Sequence, residues 1–251
     1  MDKLSRRSLL ARSPFPLFAA ARPGSPARDA RKLKIVVVGA HVDDPQSGCG
    51  GTIARYTATG HEVVALSLTR GDSASIAAGL HMDPRELATK RLADAQRSCA
   101  LLNCRLAVLS FINRDIQITP AHYEEFAAAL SGHKPDIVFT HWAIDTHPDH
   151  RAASLLTYDA WLRAGKAFPL YFYEVESGQQ TQDFWPTDYV DITSVAERKR
   201  AASYANTVTV DGWWPLHDRM HRSRGQERGF AFAEAFNRHP QSPDEPAHAL
   251  P

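Results

Sequence analysis

Short apolar runs alternate with helix-like patterns along most of the chain. The first run, Ile35 to Val38, consists of β-branched residues and predicts a buried parallel strand. Further strands are predicted at residues 61–70, 105–111, 136–141 and 170–175, with a possible sixth at 189–192. Apolar residues at helical spacing lie between them, as in residues 85–102 and 149–162. This alternation predicts an α/β fold, a Rossmann-like three-layer sandwich with a mostly parallel central sheet.

Several connecting segments carry their own signals. Pro45 to Gly51 is predicted to be a turn that leads into a helix, which Gly60 closes as a C-cap. Residues 73–84 are small and polar, which indicates a loop. Residues 194–236 are predicted to be helical, with an irregular loop at Trp213-Trp214-Pro215.

Composition narrows the class of protein. The chain has 251 residues, 43% of them hydrophobic and 23% charged, which is typical of one globular domain with a full core. A net charge of +1 gives no reason to expect a nucleic-acid partner. The three cysteines form no CxxC motif, so neither a disulfide framework nor a thiolate zinc site is predicted. No apolar stretch is long enough to cross a membrane.

The first residues resemble an export signal. Arg6-Arg7 followed by Leu9-Leu10 is a twin-arginine pattern, and small residues at 19–21 and 25–27 are suitable for cleavage. We therefore predict export to the periplasm or outside the cell. If the signal does not function, residues 1–30 are a disordered basic tail and the protein is cytoplasmic. The predicted globular domain covers residues 31–238, and the proline-rich residues 239–251 are predicted to be a second disordered tail.

Two groups of histidine and aspartate follow two of the predicted strands. His41, Asp43 and Asp44 come directly after the first strand, and His147-Pro148-Asp149-His150 follows the strand that contains residues 137–139. Open α/β sheets hold their ligands at the carboxyl ends of the strands. The two groups therefore predict one shared metal site.

The residue types suit a hydrolytic zinc site, which needs three nitrogen or oxygen ligands and an open position. His41, Asp44 and His150 can supply these ligands to one Zn²⁺ per chain. Asp43 can act as the base that accepts a proton from water. His147 can protonate a leaving amine or stabilise an oxyanion. Asp149 can orient a ring nitrogen.

Each group by itself also has an ordinary structural explanation. Asp43-Asp44 can be turn or helix-capping residues, and His147-Pro148-Asp149 can be a turn with an N-cap. The occurrence of both groups after buried strands makes coincidence the weaker explanation. Gly48-Cys49-Gly50-Gly51 lacks the GxGxxG spacing and follows two acids that would repel a pyrophosphate, so nucleotide binding is not expected.

Substrate contacts are expected in the loops at the same edge of the sheet, at residues 72–84, 112–120 and 177–187. Arg70, Asp72 and Arg114 are the candidate substrate-binding residues, although the arginines suit structural ion pairs equally well. Trp213 and Trp214 can stack on a sugar, but such tryptophans are more often packing residues.

The stretches GAHVDDPQSGCGGTIA and THPDHRAA resemble the two zinc-binding motifs of the PIG-L/LmbE family of N-acetylglucosaminyl deacetylases. Val42 stands where the family usually has proline, and Pro45 or Gln46 where an acid is frequent. Weaker similarities extend the resemblance over about residues 33 to 238, at Arg91, Asp115, Asp145, 189–192, 228–229 and 234–236. The resemblance implies the same three zinc ligands, Asp43 as base and His147 as the acid or electrophilic partner.

The resulting hypothesis is a zinc-dependent hydrolase that removes an N-acetyl or other N-acyl group from an N-acetylglucosamine-type sugar or its conjugate. Two alternatives remain. One is a metal-dependent hydratase on the same fold, and the other is a carbohydrate-binding protein without catalysis, against which the poised Asp43 argues. The expected partner is a small amino sugar or glycoconjugate.

Overall fold

Seven segments pair into one sheet in the computed structural model, which describes residues 31–208, 213–244 and 250–251. The strands are β1 Lys34–Gly39, β2 Glu62–Thr69, β3 Arg105–Phe111, β4 Ile137–His141, β5 Leu170–Tyr173, β6 Asp188–Asp191 and β7 Ala233–Arg238. The helices are α1 Asp44–Ala58, α2 Ala74–Gly79, α3 Pro84–Leu102, α4 Pro120–Gly132, α5 Pro148–Arg163, α6 Ala196–Tyr204 and α7 Trp213–Gln226. Only the backbone is described for Trp213 and Trp214, and the predicted export signal in residues 1–30 lies outside the described residues.

The strand order is β3-β2-β1-β4-β5-β7-β6. Strands β1 to β5 are parallel to one another, whereas β7 is antiparallel to both β5 and β6. The predicted mostly parallel sheet is therefore confirmed. Strands β2 and β3 follow β1 on one side of the sheet, and the next strand, β4, lies on the other side of β1. Such a reversal opens a crevice at the carboxyl ends of the two central strands.

Successive side chains of β1 lie on opposite faces of the sheet and pack into two hydrophobic cores. Ile35 and Val37 belong to one buried cluster, which also contains Ile53 of α1. Val36 and Val38 belong to the other, which also contains Trp161 of α5. Because both faces of the central strand are buried, its sequence is apolar without interruption. The three-layer arrangement follows, with helices on both faces of the sheet, and residues Lys32–Pro251 form one compact unit.

Four predictions about individual segments are wrong. Strand β7, in a region predicted to be helical, is inserted between β5 and β6. A short helix, α2, replaces part of the loop predicted at 73–84, and α7 includes the Trp213-Trp214-Pro215 segment that was predicted to be irregular. Helix α1 already begins at Asp44, so the glycines after Pro45 are helical and do not form a turn. Glycine disfavours helix in isolation, so tertiary contacts decide this segment.

Close packing explains the glycines of α1. A Cβ atom on Gly48 would lie 2.3 Å from the ring of Tyr173 in β5, and one on Gly51 would lie 2.5 Å from Ile192. Glycine is therefore required for α1 to approach the sheet this closely.

A buried ion pair also holds α1. Lys199 of α6 pairs with Glu234 of β7, and both side chains are fully buried. The carboxylate of Glu234 accepts hydrogen bonds of 2.7 Å from the backbone N–H groups of Gly51 and Thr52, while Lys199 Nζ donates to the carbonyl of Ser47 over 2.8 Å. The C-terminal strand thus fixes the helix that begins at the metal-ligand candidates.

After β7 the chain stays against β5. The backbone N–H of His239 donates to the carbonyl of Leu170, and the hydroxyl of Ser242 accepts from the N–H of Leu170. In the described ranges, no helix combines the length and the apolar character that spanning a bilayer requires.

Candidate active site

The two polar groups meet in the crevice between β1 and β4. His41 and Asp43 lie in the short link between β1 and α1, and Asp44 is the first residue of α1. His147 caps α5, and His150 lies in the first turn of that helix. Parallel pairing of β1 with β4 brings these two links to the same edge of the sheet. The predicted convergence is therefore present in the structure.

Three of these side chains could hold a metal ion. One ligand atom from each of His41, Asp44 and His150 lies within 4.8 Å of the others, and all three residues are buried. His41 Nδ1 is 3.3 Å from Asp44 Oδ2, and His150 Nε2 is 3.5 Å from Asp44 Oδ1. His41, His147 and Asp149 form a second group within the same distance limit. His41 is common to both groups.

The histidines and Asp44 of the first group shift one another's pKa. Burial raises the pKa of Asp44, but the nearby rings of His150, His41 and His141 outweigh it and hold the pKa well below its usual range. Burial lowers the pKa of His150, and the carboxylates of Asp44 and Asp145 raise it to about 10. The imidazole rings and the carboxylates of this group therefore attract one another.

Further carboxylates fix the two candidate histidine ligands. Asp149 Oδ2 lies 3.1 Å from His41 Nε2, and Asp145 Oδ2 lies 3.1 Å from His150 Nδ1. Carboxylates that bind the far nitrogen of a metal-ligating histidine set its tautomer and orientation. The sequence predicted that Asp149 can orient a ring nitrogen. In the structure the ring that it contacts is His41. Asp145 is held in turn by the hydroxyl of Thr181, at 3.1 Å.

Asp43 has a different partner from Asp44. Arg91 of α3 donates from Nη2 to Asp43 Oδ2 over 2.7 Å, and both side chains are buried. Arg91 also donates from Nη1 to the carbonyl of Gly71 over 3.3 Å. The guanidinium compensates the charge of Asp43 and fixes its position at the cavity wall.

His147 is positioned by backbone groups. Its Nδ1 accepts a hydrogen bond from the N–H of Asp149 over 3.2 Å, and its own N–H donates to Asp145 Oδ1 over 2.7 Å. Burial and the adjacent rings of His41 and His150 lower its pKa to about 4. Since Nδ1 accepts, the proton of the neutral ring is on Nε2, which remains a donor.

A cavity of about 240 Å³ opens over these groups. It is lined by His41, Asp43, Asp44, Ser73, Ile76, Arg91, Asn113, Arg114, His147, His150 and Gln180. Arg114 thus reaches this cavity, as expected, and its backbone N–H donates to Asp149 Oδ2 over 2.6 Å. Arg70 and Asp72 do not line it. They line a neighbouring cavity against the start of α3.

Sequence reasoning missed three contributors. His141, the last residue of β4, places Nε2 3.0 Å from Asp44 Oδ2 and 3.2 Å from the N–H of Ala40. Its place at the end of the strand beside β1 was the available signal. Arg91 was noted only through the family resemblance, and its partner was not foreseen. Gln180 lies in the loop 177–187, where substrate contacts were expected, but no pattern in the sequence distinguished it from its neighbours.

The sequence of this chain matches those of known proteins. Residues 36–161, half of the chain, match the sequence profile described as PIG-L: GlcNAc-PI de-N-acetylase. A diacetylchitobiose deacetylase of Thermococcus kodakarensis is 28% identical over 220 residues, which cover 81% of this chain and 82% of the relative. Both polar groups lie inside the matched range.

Solved structures share the fold. The conserved protein TT1542 of Thermus thermophilus superposes with a TM-score of 0.70 at 28% identity, over 84% of this chain and 100% of that one. The 4-carboxy-2-hydroxymuconate hydratase GalB of Pseudomonas putida superposes with a TM-score of 0.73 at 21% identity, over 85% of this chain and 99% of that one. At that identity the second likeness concerns the fold alone.

Proposed function

Because the chain belongs to the PIG-L family of GlcNAc-PI de-N-acetylases, we propose that it is a zinc-dependent hydrolase that removes the N-acetyl group of an N-acetylglucosamine-type sugar or its conjugate. The observation that carries the proposal is the convergence of His41, Asp44 and His150 beside the separate carboxylate of Asp43. The similarity to a diacetylchitobiose deacetylase favours a sugar amide as substrate.

The donor set fits zinc. Two imidazole nitrogens and one carboxylate oxygen are a common ligand set of catalytic zinc, which keeps a further position open. Asp149 lies on the Nε2 side of His41, which leaves Nδ1 on the side of Asp44. A zinc ion held by these three residues would supply a Lewis acid and a bound water whose pKa falls to roughly 7.

Asp43 is the general base in this proposal. It lines the cavity without belonging to the first ligand group, and Arg91 holds its carboxylate at 2.7 Å. Asp43 accepts the proton of the attacking water and returns it to the nitrogen of the leaving amine. The net reaction consumes one water and yields acetate and a free amino sugar.

His147 stabilises the charge that develops on the acetyl oxygen. The bond from the Asp149 N–H to Nδ1 leaves Nε2–H as the donor of a ring that lines the cavity. A fixed donor aimed at a developing oxyanion is among the strongest catalytic contributions. This geometry favours the oxyanion role of His147 over the alternative of an acid that protonates the amine.

Assay of both products tests the proposed reaction. The zinc-loaded protein should release acetate and free amine in equal amounts from di-N-acetylchitobiose or another N-acetylated amino sugar. Chelation should abolish the release, and added zinc should restore it. A hydratase would form neither product. If zinc-loaded protein releases no amine from a panel of N-acetylated sugars and glycoconjugates, the proposal is wrong.

Metal content tests the ligands independently. We expect about one zinc per purified chain, and His150→Ala should lose most of it because two ligands hold zinc far more weakly than three. His133→Ala, a substitution at the end of α4, is the matched control and should keep full occupancy. Full zinc in His150→Ala would contradict the assignment.

A further inference from the structure

The side-chain amide of one residue at the cavity has an oxygen without a hydrogen-bond partner among the described residues. Gln180 lines the cavity, and its Oε1 atom is buried without a hydrogen bond in the described part of the chain. A buried acceptor left unpaired destabilises the folded protein. Unpaired polar groups in native structures are rare enough that each requires an explanation. A ligand that supplies a donor is one explanation when the atom belongs to a residue at a binding cavity.

The backbone around Gln180 is tightly held. Its N–H donates to the carbonyl of Glu176 over 2.9 Å, and its carbonyl accepts from the N–H of Thr146 over 3.0 Å. The next residue, Thr181, bonds through its hydroxyl to Asp145, which contacts His150. The position of Gln180 is therefore tied to the candidate metal ligands by a short chain of direct contacts. Such preorganisation lowers the entropy that binding would cost.

The amide of Gln180 has to turn to present its oxygen to a ligand, because that atom is buried. The terminal torsion of glutamine is broad, so the amide can turn toward a group in the cavity at little cost. The amide offers both an acceptor and donors without charge. Two other polar residues of this wall already have partners, since Asp43 pairs with Arg91 and Ser73 caps α2. A neutral amide of this kind matches a sugar hydroxyl, which also donates and accepts.

We propose that Gln180 is a specificity-determining residue that binds a ring hydroxyl of the amino sugar. The inference rests on the proposed function for the class of ligand, and adds a recognition residue in the segment 174–182 to it. Gln180 is a binding residue and takes no part in proton transfer. The adjacent Gln179 is exposed and lines a different cavity against α7, so it provides a matched control.

The test is a titration followed by ligand-observed NMR, which reports binding and acetate release in the same sample. The probes are the methyl glycoside of N-acetylglucosamine and the analogues that each lack one ring hydroxyl. The proteins are zinc-loaded wild type, Gln180→Leu and Gln179→Leu. Leucine has a similar size and cannot form the hydrogen bond. Zinc content and the urea unfolding midpoint of each variant are measured alongside.

One analogue should bind the wild type roughly two- to tenfold more weakly than the parent glycoside, as the net strength of one hydrogen bond implies. Gln180→Leu should bind the parent more weakly by a similar factor, and should not distinguish the parent from that analogue. This loss of discrimination is the coupling that a merely structural role would not produce. Gln179→Leu should behave like the wild type, and all three proteins should keep zinc.

Other outcomes separate the two proposals. If Gln180→Leu discriminates every analogue as the wild type does, or if the wild type does not bind the parent glycoside, the role of Gln180 is wrong. If acetate is released normally in the first case, the proposed hydrolysis is unaffected. If the expected coupling appears without any acetate release, the recognition role stands and the proposed hydrolysis is wrong.

Discussion

At the scale of single residues, the adjacent carboxylates Asp43 and Asp44 have different partners. Asp44 lies among the rings of His41, His141 and His150, whereas Asp43 faces Arg91 from the neighbouring helix. One carboxylate is thus placed for a cation and the other is already compensated by a guanidinium. These two neighbours in sequence have different surroundings because the chain turns between them into α1.

Substitution of each aspartate by asparagine should separate these roles. Asp44→Asn should weaken zinc binding, because a neutral amide is a poorer donor to a dication. Asp43→Asn should keep zinc and lose proton transfer, so kcat should fall by roughly 10²–10⁴-fold, the usual contribution of a general base. KM should change less, since the base acts in the transition state.

The measurement is zinc content and kcat for both variants, with the wild type as reference. Full activity of zinc-loaded Asp43→Asn would exclude Asp43 as base. Loss of zinc in Asp43→Asn together with retention in Asp44→Asn would require the two roles to be exchanged.

At the scale of elements, α1 is the helix on which the site depends. It starts with Asp44, and its glycines allow contact with Tyr173 and Ile192. The pair of Lys199 and Glu234 binds its backbone from two later elements. A helix with so weak an intrinsic propensity is held by its neighbours, and its position therefore depends on packing.

Gly48→Ala should accordingly destabilise the protein. The added Cβ would lie 2.3 Å from the Tyr173 ring, which requires β5 or α1 to shift. Overpacking of this kind typically costs about 1–3 kcal/mol. Urea unfolding measures the change, and activity should fall as α1 moves its first residue.

Gly132→Ala at the end of α4 is the matched control. A Cβ at Gly132 meets no atom within 4 Å. This substitution should be neutral or stabilise the fold by roughly 0.4–1 kcal/mol, because alanine reduces the entropy of the unfolded chain. Equal effects at the two positions would contradict the packing role of Gly48.

At the scale of the whole molecule, strand order creates the site. The return of the chain from β3 to β4 places β4 beside β1, although more than a hundred residues separate His41 from His150. The later strand β7 lies between β5 and β6 and carries Glu234 to the back of α1. The C-terminal third thus supports a site whose ligand candidates all lie earlier in the chain.

Export is also a property of the whole chain, and we propose that residues 1–30 direct it through the twin-arginine pathway, which transports folded proteins. The motivation is Arg6-Arg7 followed by Leu9-Leu10. Changing both arginines to lysine should retain the precursor in the cytoplasm, as measured by cell fractionation. Replacement of the exposed Lys32, just outside the segment, is the control and should not alter fractionation. Unchanged fractionation of the double-lysine variant, with the segment still attached, would contradict the proposal.

The sequence by itself determined the parallel part of the sheet and the meeting of the two polar groups. Apolar runs such as Ile35 to Val38 can be buried in few ways, and parallel strands bring their carboxyl ends to one edge. The positions of His41, Asp44 and His150 after such runs therefore predicted their convergence without any coordinates. The same local patterns located the ends of β3 and most of α3 and α5.

Only the tertiary structure decided which side chains of the site contact one another. The pairing of Asp43 with Arg91 and the contact of His141 with Asp44 each join residues from separate elements. The oxygen of Gln180 has no such partner among the described residues. Tertiary contacts also stabilise a helix in α1, although its glycines have a low helix propensity. They likewise stabilise strand β7 in a region that was predicted to be helical. Periodicity reports which face of a segment is buried, whereas these features depend on what lies across that face.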